Sequence, residues 1–225
     1  MNAGTRWIAL TQRQVSFPRR GEQGDYLDRR WYRLLRGYRL LAVPNDLAAA
    51  RAAITGLDLA LIVLTGGNTL PGLPGATDTA PARDQAEDWL LGHAASNGIP
   101  VAGVCHGAQL LAVRHGAQLT RACHGHAGTR HGIRAATGPP PWGWPRVFTV
   151  DSHHQYAISP AGFPADLTPL GVAPDGTIEA FAHRALPWRG LMWHPEREDP
   201  PGPGTQALHS MLPGHDREEP SPCRP

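Results

Sequence analysis

The chain has 225 residues, with 41% hydrophobic and 18% charged positions and a net charge of +2 from 21 basic residues, all of them arginine, against 19 acidic ones. These proportions exclude an intrinsically disordered chain and predict one domain with its own core. Scattered arginines exclude nucleic acid as a partner, since the basic stripe of a nucleic-acid binder is missing. No apolar run reaches the roughly 18 residues of a membrane span. The N-terminus lacks the layout of a secretory signal, so a soluble, cytoplasmic protein is expected. Cys105, Cys123 and Cys223 are an odd and sparse set, which argues against a disulfide framework and fits a reducing compartment.

Along the chain, Trp7 to Gln12 reads as a buried first strand and is followed by a loop containing Pro18 and Gly21. From Asp25, Leu27, Trp31, Leu34, Leu35 and Tyr38 recur at helical spacing. Leu40 to Val43 is a second strand, and a short helix over Leu47 to Ile54 leads into Leu59 to Leu64. That uninterrupted apolar run is what a central parallel strand requires. A loop rich in Gly, Pro and Thr reaches Pro81, and a helix over 82–96 follows. The strand Pro100 to Val104 runs directly into Cys105 and a further helix.

The second half changes character. Val147 to Val150, Tyr156 to Ile158, Leu170 to Val172 and Ile178 to Ala182 are short strands, and Ala173-Pro174-Asp175-Gly176 is a hairpin turn. A strand over Gly190 to Trp193 ends at His194-Pro195-Glu196, a last helix covers Gln206 to Leu212, and a disordered Pro-rich tail is expected over 213–225. The alternation predicts an α/β fold over 1–212, a central mostly parallel sheet flanked by helices, with a small antiparallel addition and a site at the carboxyl ends of the strands.

The sharpest local signal is Gly103-Val104-Cys105-His106-Gly107-Ala108-Gln109. A thiol at a strand-to-helix junction with glycine two residues to either side has the layout of a nucleophile elbow. The helix that begins there offers its positive end to a thiolate and its free N–H groups to an oxyanion. A lone cysteine is more often a buried inert thiol; here Trp193-His194-Pro195-Glu196 shifts the balance by supplying a base and a carboxylate to orient it. In an extended backbone, His194 and Glu196 would point to the same side.

Cys105 and His194 together resemble the class I glutamine amidotransferase superfamily, whose G-x-C-x-G-x-Q and later H-P-E patterns are present residue for residue. Within it the chain is most similar to the gamma-glutamyl-gamma-aminobutyrate hydrolase group. The segments 9–13, 25–31, 64–68 and 192–198 resemble the branch that includes gamma-glutamyl-CDP-amidate hydrolases. The resemblance implies a flavodoxin-like fold and a small-molecule gamma-glutamyl substrate. It implies Cys105 as nucleophile, His194 as base and then acid, and Glu196 as the group holding the imidazole. The backbone N–H groups of His106 and Gly67 would form the oxyanion hole. Gln109, Ser152 and His154 would hold the substrate, with Asp151 standing where the family has Asn.

Cys123, His124, His126 and His131 invite a metal reading, but their spacing matches no zinc pattern and a Gly-rich loop is where histidines are simply solvated. No metal and no cofactor is therefore expected. Gly66-Gly67 lacks the remainder of a phosphate loop. The arginines from Arg19 to Arg33 read as a solvated face, or, in the branch resembled, as a contact for a phosphate-bearing leaving group. Three functions stay open: a gamma-glutamyl amide hydrolase, a glutaminase subunit feeding ammonia to a synthetase partner, and a non-catalytic binding protein on the same scaffold. A homodimer is likewise left open.

Overall fold

A computed structural model describes residues 6–122, 125–136 and 143–213. Its centre is β5 (Leu59–Leu64), buried at all six positions. Ile62 and Leu64 enter the core on one face of the sheet, Leu61 and Val63 the core on the other. With helices on both sides, neither set of alternate side chains faces water, which is why the run is apolar throughout. Each fully buried Leu, Ile or Val contributes roughly 1.5–3 kcal/mol.

Around it lie β1 (Trp7–Leu10), β4 (Arg39–Ala42), β6 (Val101–Val104) and β13 (Trp188–Leu191), all parallel, in the order β4-β1-β5-β6-β13. The helices α2 (Leu47–Ile54), α3 (Pro81–Asn97) and α4 (His106–Arg114) pack on one face, α1 (Arg29–Leu34) and α5 (Pro203–His209) on the other. Asp46 caps α2 by accepting from the Ala49 N–H. Pro81 opens α3, and Gly98, at φ +63°, closes it. The chain passes from β1 outward to β4 and then returns to β5, so the crevice at the carboxyl ends of β1 and β5 is a topological switch point, where α/β sheets bind ligands.

Beyond β13 the same sheet continues antiparallel through β12 (Ile178–His183), β11 (Leu167–Val172), β8 (Ala127–Ala135) and β9 (Val147–His153), while β10 (Tyr156–Ile158) pairs with β12 and β7 (Leu119–Arg121). The expected α/β class with an antiparallel addition is the fold observed. The 173–176 turn also forms, with Gly176 at φ +86° and its N–H donating to Ala173.

Three local expectations need correction. The stretch around Pro18 and Gly21 is not a simple loop but a hairpin, β2 (Arg13–Phe17) and β3 (Glu22–Tyr26). It stands apart from the main sheet, so its strands carry no buried alternation to betray them. The helix expected from Asp25 begins only after Asp28, which caps it by accepting from Arg30 N–H, because the Asp25 carboxylate is engaged with the Asn45 backbone and side-chain amides. The Gly-rich histidine segment is strand β8, of which only Ile133 is fully buried. Cys123 and His124, Cys223, and the tail from 214 onward lie outside the described residues.

Candidate active site

The elbow is built where β6 meets α4. Cys105 sits between them at φ 52°, ψ −102°, a strained conformation for a residue with a side chain. Its flanking glycines have a steric reason. A Cβ on Gly103 would lie 2.6 Å from the Gly107 carbonyl, and one on Gly107 would overlap the Leu64 carbonyl of β5. Only glycine at both places lets the turn fold this tightly against the sheet.

His194, just past β13, is 6% exposed, and its Nδ1 lies 2.6 Å from Glu196 Oε1. The extended arrangement expected for His194 and Glu196 is not how they meet. Pro195 begins a one-turn 3-10 helix over Pro195–Arg197 that curls the carboxylate back onto the ring. Burial pushes the Cys105 thiol up, but the hydrogen bond and charge of His194 outweigh it and hold the thiol below its usual range. Burial likewise disfavours the His194 imidazolium, yet its bonds to Cys105 and Glu196 raise it to about 9. The two shifts have one cause: charge on Cys105 or His194 favours charge on the other, with Glu196 backing the ring.

Facing this pair is the turn after β5. A Cβ on Gly66 would stand 2.5 Å from the His194 ring, so glycine leaves the imidazole its space. Gly67 takes φ +97°, and Asn68 locks to the Gln14 backbone through both ends of its amide. Beneath the turn lies a group that sequence reasoning missed. Arg83, fully buried on α3, donates to the carbonyls of Thr65 (2.5 Å) and Gly67 (2.6 Å) and to Glu87 (2.8 Å). Glu87, equally buried, also accepts from Thr11 Oγ1 (2.6 Å) and lies 3.0 Å from His106 Nε2. Burial would raise the Glu87 carboxyl, but Arg83 and His106 hold it at about 2. The signal was an Arg and a Glu four apart, a spacing that on most helices marks a solvated face.

A cleft of about 310 Å³ opens over Cys105 and His194 and is lined by Arg13, Gln109, His153, His154 and Arg197 among others. Gln109 lies one turn along α4 and donates to the Tyr156 carbonyl (2.8 Å), which leaves its own carbonyl as an acceptor. His106 opens α4, so its N–H belongs to the first-turn groups that have no intrahelical acceptor. Ser152 does not reach the cleft: it is fully buried and donates to the His126 carbonyl (2.6 Å). Alternation along β9 puts His153 on the opposite face, where its ring meets His194 edge-on at 6.0 Å. His154 borders the cleft, but its Nε2 points away, to a buried cluster with Glu179.

A strained thiol on a strand-to-helix turn, with a histidine and carboxylate just past the neighbouring strand, defines a nucleophile-elbow α/β protein. The glutamine amidotransferase class-I family matches residues 30–208, and the chain belongs to that family. It is 31% identical over 137 residues to the carbamoyl phosphate synthase small chain of Symbiobacterium thermophilum, covering 60% of this chain and 33% of that one. It is 32% identical over 138 residues to the gamma-glutamyl-CDP-amidate hydrolase of Campylobacter jejuni, covering 61% and 62%. The chain thus spans a third to under two thirds of the length of these relatives. Among solved structures, a glutamine amidotransferase from Thermotoga maritima shares the fold with a TM-score of 0.60 at 16% identity, over 85% of this chain and 76% of that one. No helix among the described residues is long and apolar enough to cross a membrane.

Proposed function

We propose that the chain is a cysteine hydrolase of gamma-glutamyl amides. The observation that carries this reading is the line Cys105–His194–Glu196 at the floor of an open cleft. Cys105 Sγ attacks the γ-carbonyl carbon, and the thiol proton resides on His194. The oxyanion that forms is met by the N–H groups of Gly67 and His106. His194 then passes its proton to the departing amine, and the C–N bond breaks to leave a glutamyl thioester. Water attacks the thioester, His194 accepts its proton and returns it to sulfur, and glutamate leaves. Glu196 holds the imidazole in orientation throughout. Gln109 offers its free carbonyl to the glutamyl ammonium, and Arg13 and Arg197 offer charge to its carboxylate.

A leaving group larger than ammonia has room in the cleft of about 310 Å³ over Cys105 and His194, where Arg13 and Arg197 are the basic lining residues. The similarity to a gamma-glutamyl-CDP-amidate hydrolase points the same way. The second reading is a glutaminase subunit acting with a synthetase, favoured by the comparable identity to carbamoyl phosphate synthase small chains.

Kinetics on the purified chain separate the two. N-substituted gamma-glutamyl amides are expected to be split with a higher kcat/KM than glutamine, and Cys105→Ala to abolish turnover and any covalent adduct. If glutamine is the better substrate, or activity appears only when a synthetase is added, the second reading stands.

A further inference from the structure

Behind the cleft wall, His126, His131, His154 and Glu179 bring one ligand atom each to within 4.8 Å of one another. They arrive from separate places: His126 just before β8, His131 within it, His154 between β9 and β10, and Glu179 on β12. The Glu179 side chain is 0% exposed, that of His154 1%, that of His126 5% and that of His131 10%. From Glu179 Oε1 the distances are 3.2 Å to His126 Nδ1, 3.2 Å to His154 Nε2 and 3.8 Å to His131 Nε2.

The outward nitrogens fix the tautomers. His126 Nε2 lies 2.9 Å from the Asp175 carboxylate, His154 Nδ1 lies 3.0 Å from the Tyr156 carbonyl, and His131 Nδ1 lies 3.2 Å from the Gly132 carbonyl. Each of these partners can only accept, so each imidazole spends its single neutral-form proton facing outward. All three inward nitrogens are then lone pairs, directed at a carboxylate that also has only lone pairs. His126 Nδ1, His131 Nε2, His154 Nε2 and both oxygens of Glu179 are buried without a hydrogen-bond partner. One proton can bridge one of these contacts, but the others remain acceptor against acceptor. Charging all three rings would bury several cations around two carboxylates at a large desolvation cost.

A dication answers every one of these lone pairs at once. We infer that His126, His131, His154 and Glu179 form a tetrahedral site for a divalent first-row transition metal, zinc being the best match to three imidazoles and one carboxylate. Bonds of about 2.0–2.2 Å to such ligands imply ligand–ligand edges of roughly 3.3–3.6 Å, close to the three distances from Glu179 Oε1 and inside the 4.8 Å that bounds the set. Asp175, the Tyr156 carbonyl and the Gly132 carbonyl are the outer partners that orient metal-bound histidines and set their tautomers. With four protein ligands the site is closed, so its role is structural. It fastens β8, β12 and the β9–β10 connection together, and that connection joins His153 at the end of β9 to Tyr156, whose carbonyl accepts from Gln109. No short sequence motif announces it, because its ligands span 54 positions, from His126 to Glu179, and the structural partners lie on different strands.

The test is metal content after incubation with Zn²⁺ and removal of excess, with Co²⁺ as a spectroscopic probe. It is run on the full chain, on Cys105→Ser, on Glu179→Gln and on His131→Ala. The expected result is one bound Zn²⁺ per chain in the first two. Co²⁺ should then give the intense visible bands of a tetrahedral site, and a chelator should lower the Tm, with Zn²⁺ restoring it. Glu179→Gln and His131→Ala are expected to weaken binding at least tenfold; His131, the most exposed ligand, is the variant that tests this should Glu179→Gln fail to fold. Binding lost in Cys105→Ser but kept in His131→Ala would place the metal at the thiol and overturn the assignment. So would the absence of both bound metal and any Zn²⁺-dependent Tm shift, which would leave a protonated histidine–glutamate cluster in its place. Neither readout depends on activity, so the inference stands or falls apart from the proposed reaction.

Discussion

At the scale of single residues the site turns on how two side chains share one proton. His194 is held at about 9 by Cys105 and Glu196 against the opposing effect of burial. Activity that needs the imidazolium should therefore fall on an alkaline limb near pH 9. Glu196→Gln removes one of the charges that raise His194, so its alkaline limb should move to lower pH in a kcat/KM profile. Its rate loss should be smaller than the roughly 10³-fold or greater loss expected of His194→Ala. An unmoved limb would mean that Glu196 does not act through the ring. Cys105, His194, Glu196 and the paired glycines were legible in the sequence because an elbow is a local object: five consecutive residues carry its steric requirements. His153 was not, since which of two adjacent histidines faces the cleft depends on the register of β9.

At the scale of elements, α3 does more than cover the sheet. Arg83 and Glu87 project from it into the space under the Thr65–Asn68 turn and set the turn's carbonyl directions. Replacing Glu87 by Gln would strand a fully buried guanidinium, and breaking a buried pair in this way costs about 3 kcal/mol or more. The expected outcome is a lower midpoint in urea unfolding together with a kcat loss larger than any KM change. A kcat loss without destabilisation would mean that Glu87 acts on the chemistry rather than on the turn. The elements that sequence reading missed, β2, β3, β7 and β8, share a physical reason. Phe17 and Tyr26 on the hairpin are half-exposed, β7 has no buried position, and only Ile133 of β8 is fully buried, so none of the four shows the alternation that marks a half-buried strand.

At the scale of the whole molecule, Glu87 on the acid side and His194 on the alkaline side bound the pH range of the fold. Glu87 is depressed from 4.5 to about 2, so its contribution is present above pH 4.5 and is lost as pH falls toward 2. His194 is raised from 6.5 to about 9, so its contribution is complete below pH 6.5 and is lost as pH rises through 9. Thermal melts from pH 3 to 10 should show the highest Tm between about pH 5 and 7, and Glu87→Gln should flatten the acid side. A Tm that stayed level from pH 6 down to 3 would contradict the Glu87 assignment. Continuous apolar runs and tight local turns encode the α/β class, the central strand at Leu59–Leu64 and the elbow at Cys105 with its distant His-Pro-Glu, so each is readable along the chain. Tertiary structure alone decided the rest. Arg83 and Glu87 meet Thr11 and His106, and Glu179 meets His126, His131 and His154, only because sheet order brings together positions far apart in the chain. Buried polar groups take their chemistry from the neighbours that replace water around them, and those neighbours are set by the packing of the sheet.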